Sequence, residues 1–212
     1  MRSVPLVLGV LASGRGSNLQ AILDAIADGR CPARVAVVVS DRKDAPALER
    51  ARAASVRAVH LDPRAYPDRV AFDEAVCRVL DEHGVELVCL AGYMRVLSGD
   101  FVRRYRRRIL NVHPALLPAF PGLHAQRQAL EHGVKVAGAT VHFVDEGVDT
   151  GPIVLQAAVP VLSGDTEATL SARILAEEHR LYPEAIRLYA EDRLDLTGRR
   201  VTVQPPGNAG SG

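Results

Sequence analysis

Asn111 and His113 stand two residues apart at the end of the apolar run Ile109–Val112, directly before Pro114. If that run is a strand, its period of two puts both side chains on one side, where they could face a single reacting atom. An Asn amide is a neutral donor for an oxygen gaining negative charge, and a His can give or take a proton near neutral pH. The bland alternative is a strand-end pair that caps backbone groups. Pro114, Pro118 and Pro121 describe a rigid, ordered loop instead, which favours a site. Asp149, within Val144–Pro152, is the residue type that would fix the tautomer of His113 and raise its pKa. Taken alone, that polar segment reads more simply as a solvated hairpin loop, with Asp145 and Glu146 in water or touching a ligand through backbone.

A second candidate is Ser13-Gly14-Arg15-Gly16-Ser17-Asn18. Its glycines allow close backbone approach, and a following helix would offer free N–H groups and a positive dipole end to an anion. A Walker A loop needs a Lys after its second Gly, and none is present. A dinucleotide fingerprint needs a third Gly at position 19, which is Leu, although Asp41 could mimic its ribose-binding acid. The loop therefore suits one phosphate, held by the amides of Gly16, Ser17 and Asn18.

These residues need a frame. Val4–Leu11, Val35–Val39, Ala58–Leu61, Leu87–Leu90 and Ile109–Val112 read as strands, Val35–Val39 continuously apolar. Between them, Leu19, Ile22, Leu23 and Ile26 mark one helical face over Asn18–Ala27, with Ser17 as the expected N-cap. Pro46 opens a second helix, and a third starts near Asp68 and closes at Gly84. Such alternation predicts a parallel sheet covered on both faces. After Pro114 the pattern changes. Val136–Val144 and Ile153–Val161 read as antiparallel strands, Thr166–Ala190 as a long helix bent at Pro183, and Leu194–Leu196 with Val201–Val203 as a hairpin. The expected class is α/β: an open, twisted, mostly parallel Rossmann-like sheet with helices on both faces and an antiparallel C-terminal extension. One domain is expected over residues 1–203, with a phosphate-binding half at 1–110 and a catalytic half at 111–203. A disordered tail is expected over 204–212.

Composition narrows the function. The 212 residues are 48% hydrophobic and 24% charged with a formal charge of +1, which argues against a nucleic-acid or anionic-membrane partner. Cys31, Cys77 and Cys89 form no zinc or disulfide pattern and fit a reduced, cytoplasmic setting. His113, His124, His132 and His142 lack metal-ligand spacing, so no metal is expected. His142 reads as a core histidine or one that supports the site from behind. The basic stretch Phe101–Arg108 could suggest RNA, but more simply forms a solvated helix face. The apolar start at Val4–Ala12 has too weak a basic flank for a signal peptide.

In order, Ser13–Leu19, Leu90–Ser98, Ile109–Pro118, Phe120–His124, Thr140–Val144, Asp149–Pro152 and Glu178-His179 before Tyr182-Pro183 closely resemble the phosphoribosylglycinamide formyltransferases of purine synthesis. The resemblance runs from Val4 to about Leu194. It implies transfer of a formyl group from 10-formyltetrahydrofolate to glycinamide ribonucleotide without metal, by a monomer or homodimer. It also implies catalytic roles for Asn111, His113 and Asp149, with protonated His113 and Asn111 stabilising an oxyanion. Gly16, Ser17, Asn18 and Glu178 would hold the ribonucleotide. Met94, Arg95, Val96 and Leu97 would line the folate pocket with Asn111, Val144, Asp145 and Asp149, and Arg69 would meet the folate's acidic tail. Gln126 stands where many relatives carry a His, outside the trio. Methionyl-tRNA formyltransferase is expected to need a further C-terminal domain, and formyltetrahydrofolate deformylase an N-terminal one. A noncatalytic nucleotide-binding module would leave the trio unexplained.

Overall fold

Apolar runs without alternation need cover on both faces, and such runs form the middle of one parallel sheet. The computed structural model describes residues 4–206. Strands β1 (Leu6–Leu11), β2 (Ala33–Ser40), β3 (Arg57–His60), β4 (Leu87–Leu90) and β5 (Ile109–His113) pair in the order β3-β2-β1-β4-β5, all parallel. Beyond β5, β6 (Val136–Phe143) and β7 (Ile153–Pro160) continue the sheet antiparallel. β6 is buried almost throughout. β7, at the edge, alternates in burial as a strand covered on one face should. A separate antiparallel hairpin joins β8 (Leu194–Thr197) to β9 (Arg200–Val203).

Among the described residues, six α-helices cover the sheet: α1 (Ser17–Ala27), α2 (Pro46–Ala53), α3 (Arg69–Glu82), α4 (Gly99–Arg104), α5 (Ala125–Glu131) and α6 (Glu167–Ala190). On one face, Leu6, Leu8 and Val10 share a cluster with Leu19 and Ile22 of α1 and Ile174 and Ile186 of α6. On the other, Leu11, Val37 and Val39 meet Phe72, Val76 and Leu80 of α3 and Phe101 of α4. Gly9 lets α3 close on the sheet, since a Cβ there would lie 2.5 Å from Leu80 Cδ2. The basic stretch after Ser98 becomes α4, with Phe101, Val102 and Tyr105 buried and the arginines outward.

The expected class is the observed one, with shifted boundaries. Val4 is exposed and the first strand starts at Leu6. The short α5 was not marked by the apolar spacing, because only Ala125 and Ala129 of it are buried. α6 continues as one helix through Pro183, which is buried. Of the expected tail, Gln204–Pro206 carries no regular structure, and residues 207–212 lie outside the described residues.

Successive strands are added on one side of β1 (β2, β3) and then on the other (β4, β5), and such a switch point opens a crevice at the carboxyl ends of the strands. The loops after β1, β4 and β5 all leave from that end. The buried Tyr182 hydroxyl of α6 ties two of these ends together, shared between Leu90 O (3.0 Å) and Leu110 O (2.8 Å).

Candidate active site

The loop after β1 is braced from two sides. Ala47 N–H of α2 donates to Gly14 O (3.2 Å), and Arg50 Nε donates to Arg15 O (2.9 Å). On the other side, Ser13 N–H donates to Gly92 O (3.1 Å), and Met94 N–H donates to Ser13 Oγ (2.9 Å). The loops after β1 and β4 are therefore one stitched unit. The N-cap of α1 is Gly16, not the expected Ser17. Its φ of 72° is left-handed, and an added Cβ would lie 2.7 Å from Ala47 Cα. Backbone shape and the nearness of α2 decide the cap here, ahead of side-chain preference. The first N–H groups of α1 have no helical acceptor and suit an anion.

Across the chain, α6 delivers Glu178 to this loop. Asn18 Nδ2 donates to Glu178 Oε2 at 2.7 Å, while Asn18 Oδ1 has no protein partner. Burial raises the Glu178 pKa, against the opposing pull of the Asn18 hydrogen bond and the Arg15 charge. Beside it, His179 also has a buried Nε2 without a partner, and burial lowers its pKa. Only the Glu178-His179 sequence pair pointed to that histidine beforehand.

Asn111 and His113 share one side of β5, as the period of two requires, and Asp149 reaches back to both. His113 Nδ1 lies 3.3 Å from Asp149 Oδ2, and Asn111 Nδ2 donates to Asp149 Oδ1 at 3.4 Å. Asp149 is not solvated: its side chain is 13% exposed, its φ is 53°, and it accepts the Gly122 N–H at 2.8 Å. The Pro-rich segment after β5 thus clamps the hairpin loop after β6. Thr140, paired across the strands with His113, holds that segment: it donates to Ala115 O (2.6 Å) and accepts Leu117 N–H (3.0 Å).

His142 completes the group. It pairs across the strands with Asn111, and its Nε2 lies 3.1 Å from Asn111 Nδ2 and 3.6 Å from Asp149 Oδ1. Its sequence signal was its place on an alternating strand, which gave no reason to join it to Asn111. At rest the donors are already engaged. Asn111 spends its amide on His142 and Asp149, and His113 Nε2 lies 2.8 Å from Phe120 O.

Burial lowers the pKa of His113, against the raising effects of the Phe120 carbonyl and Asp149. Both ring nitrogens face acceptors, Phe120 O and Asp149 Oδ2. For Asp149, burial alone would raise the pKa. The His142 ring 3.6 Å away, the Gly122 N–H and the nearby His113 together hold it below the usual carboxylate range.

The loop Met94–Leu97 exposes Met94 (62%) and Val96 (55%), and the neighbouring loops expose Val148 and Leu123. Arg95 turns away, its guanidinium 4.8 Å over the Phe72 ring. Arg69 sits exposed at the first turn of α3. The structure does not bring it to the trio; it shares with Arg95 only a charge interaction with the buried Asp73. Val144 is anchored to Ile109 O (3.0 Å), and Asp145 folds its own loop by accepting Gly147 N–H (3.1 Å) and Thr150 Oγ1 (2.6 Å). From outside, Arg103 pairs with Glu146 (3.1 Å).

A cleft of about 700 Å³ does not lie over the trio. It opens beside Ser13–Arg15 between the loops after β2 and β3, and the chemistry stays with the trio, where the polar groups converge. Among the described residues no cluster of His, Cys, Asp and Glu is arranged to hold a metal ion, and no helix is long and apolar enough to cross a membrane.

A family model described as formyl transferase matches residues 7–186. The phosphoribosylglycinamide formyltransferase of Escherichia coli (strain K12) is 46% identical over 187 residues, covering 88% of each chain. The human trifunctional purine biosynthetic protein adenosine-3 is 46% identical over 189 residues; this chain spans 19% of its length. Among solved structures, glycinamide ribonucleotide transformylase 1 from Symbiobacterium toebii superposes with a TM-score of 0.95 at 65% identity over 96% of both chains. A formyltetrahydrofolate deformylase from Pseudomonas syringae pv. tomato str. DC3000 superposes at 0.88 with 26% identity, over 96% of this chain and 67% of its own.

Proposed function

Because the chain belongs to the formyl transferase family, we propose that it moves the formyl group of 10-formyltetrahydrofolate to the amine of glycinamide ribonucleotide, in the cytoplasmic synthesis of purines. The observation that carries this reading is the convergence of Asn111, His113 and Asp149 within 3.4 Å contacts, beside a phosphate-suited loop that Glu178 closes. The near-complete overlap with the Escherichia coli enzyme supports it.

In this reading the amides of Gly16, Ser17 and Asn18 hold the ribonucleotide phosphate, and Glu178 accepts from its sugar or glycinamide end. Met94 and Val96, with Val148 and Leu123 across the opening, offer the apolar surface that a folate ring system would cover. Val144, Asp145 and the loop backbone form the opposite wall. The formyl oxygen, as it gains charge, replaces the longest of the resting contacts. Asn111 gives up its 3.4 Å bond to Asp149 while His142 keeps the amide aimed. His113 exchanges Phe120 O for the substrate and keeps Asp149 on its other nitrogen. Preorganised donors of this kind contribute roughly 3–4 kcal/mol each. The proton of the attacking amine reaches the departing folate nitrogen by way of water held beside His113 and Asp149. Asp149 stabilises the imidazolium form of His113 as it donates to the oxyanion.

The test is folate product formation with and without glycinamide ribonucleotide, in metal-free buffer. Ribonucleotide-dependent release is expected. Equal release without the ribonucleotide would replace transfer by hydrolysis, the activity named for the similarly folded Pseudomonas protein. Binding of both ligands without any product would leave a noncatalytic module.

A further inference from the structure

Asp41 directly follows the last residue of β2 and has no part in formyl transfer. In doubly wound sheets an acid at this place meets a ribose hydroxyl, because the second strand ends beside the first loop. Here the place opens into a cleft of about 700 Å³, within the usual range of ligand sites. Its walls are the loops after β1, β2 and β3, and Arg95 reaches it from the loop after β4. We propose that this cleft binds a ribonucleoside 5′-phosphate, with Asp41 accepting from the ribose 2′-hydroxyl. The site is separate from those of the two formyl-transfer substrates and does not depend on that reaction.

Two buried atoms point to a sugar. Asp41 Oδ1 and Arg95 Nε have no protein partner, and both residues line the cleft. Burial chiefly raises the Tyr93 pKa; of the charges, Asp73 and Asp41 add to the rise and Arg95 opposes it. Asp41 and Arg95 thus lie within electrostatic reach of one phenol. Asp41 needs a donor and Arg95 an acceptor, and a buried group left unmet is costly. A hydroxyl donates and accepts at once, and a ribose carries two of them side by side. A phosphate or a carboxylate only accepts, so it would serve Arg95 and be repelled by Asp41.

Charge supplies the phosphate end. Arg15, Arg42 and Lys43 line the cleft, and among the described residues their side chains make no hydrogen bond or ion pair. Asp62 is locked to Arg64 at 2.8 Å, so that pair leaves the balance. Asp41 and Asp44 then face four cations, counting Arg95, and the cleft is net positive. Arg15, Arg42 and Lys43 are exposed, so each holds an anion weakly and over a screened range. The phosphate therefore adds affinity, while selectivity rests with the hydroxyl on Asp41.

The remaining walls suit a base. Ala45, Pro46 and Pro63 give the cleft an apolar edge on which a flat ring can rest. Gly16, Ser17 and Asn18 do not line it, so the phosphate of glycinamide ribonucleotide and this one are held at different places.

The probe is adenosine 5′-monophosphate, titrated by calorimetry into the full chain with glycinamide ribonucleotide at saturation. Saturable binding is expected. The 2′-deoxy form should bind about tenfold more weakly or worse, the loss of one hydrogen bond to a charged acceptor. Adenosine should also bind more weakly than the monophosphate, by a margin that shrinks as salt rises. Asp41→Ala should cut affinity for the monophosphate by about tenfold and erase the difference between the ribose and deoxyribose forms. That variant removes no protein hydrogen bond from Oδ1, so its thermal unfolding should stay parental. Should it not fold, the comparison of ribose and deoxyribose forms in the parent decides alone. Absence of binding, displacement by glycinamide ribonucleotide, equal affinity for the two sugars, or unchanged affinity in folded Asp41→Ala would each overturn the proposal.

Discussion

Replacing Asp149 by Asn keeps the side-chain size and removes the charge that four polar neighbours use. In the parent, Oδ2 accepts the Gly122 N–H at 2.8 Å and faces His113 Nδ1 at 3.3 Å, while Oδ1 faces Asn111 and His142 at 3.4 and 3.6 Å. An Asn has one acceptor oxygen, so one edge of the group must meet an NH2 where it needs an acceptor. A charge-assisted hydrogen bond lost in this way costs about 1.5–3 kcal/mol, so the unfolding temperature should drop by several degrees at most. Turnover should fall further, by roughly 10²–10⁴-fold, because the variant loses the partner that orients His113 and stabilises its protonated form. The pH profile gives an independent reading. Burial already lowers the His113 pKa and Asp149 opposes that fall, so removing the charge should move the His113 limb of kcat/KM to lower pH. The stability effect has a defined sign as well. The folded-state pKa of Asp149 is depressed, so its contribution is present above the unfolded value of about 3.9 and is lost as pH falls through the folded value. The stability gap between parent and variant should therefore be widest near neutrality and narrow in acid. Folate product release at saturating ribonucleotide, measured across pH beside thermal unfolding, reads all three effects. Near-parental turnover, or a limb that moves upward, would refute the role given to Asp149.

Three further outcomes are expected. Glu178→Ala leaves Asn18 without its 2.7 Å acceptor and should raise the ribonucleotide KM by about tenfold or more, with Glu178→Gln milder; an unchanged KM in the Ala variant would remove Glu178 from the binding site. Gly16→Ala places a Cβ against the backbone of α2 at a left-handed φ, so it should cost roughly 1–3 kcal/mol and weaken ribonucleotide binding; a neutral result in both would show that the loop relaxes freely. Tyr182→Phe takes the shared donor from Leu90 O and Leu110 O and should lower the denaturant midpoint, at unchanged slope, by the equivalent of about 1–3 kcal/mol; an unchanged midpoint would mean that the carbonyls find another donor.

Much of this molecule is legible in one dimension because its signals are local. The apolar runs Leu6–Leu11 and Leu87–Leu90 specify strands covered on both faces, and Leu19 and Ile22 mark the buried face of α1. The spacing of Asn111 and His113 fixes a shared side, because a strand repeats every two residues. The phosphate loop follows from its glycines and from the helix behind them, although the cap fell to Gly16 once α2 closed in. The ordered series of motifs carried the family likeness that the comparisons then met.

What the sequence could not determine is which faces meet and what each group loses on being buried. Asn18 and Glu178 are 160 positions apart, and only the packing of α6 against α1 joins them. The segment around Asp149 reads as a solvated turn until Gly122 N–H reaches it from another loop. His142 becomes a neighbour of Asn111 only through antiparallel register. The pKa of His113 is the sharpest case. Local chemistry sets a His beside an Asp and predicts a raised pKa, but desolvation depends on every element packed around the ring, and in the assembled protein it wins.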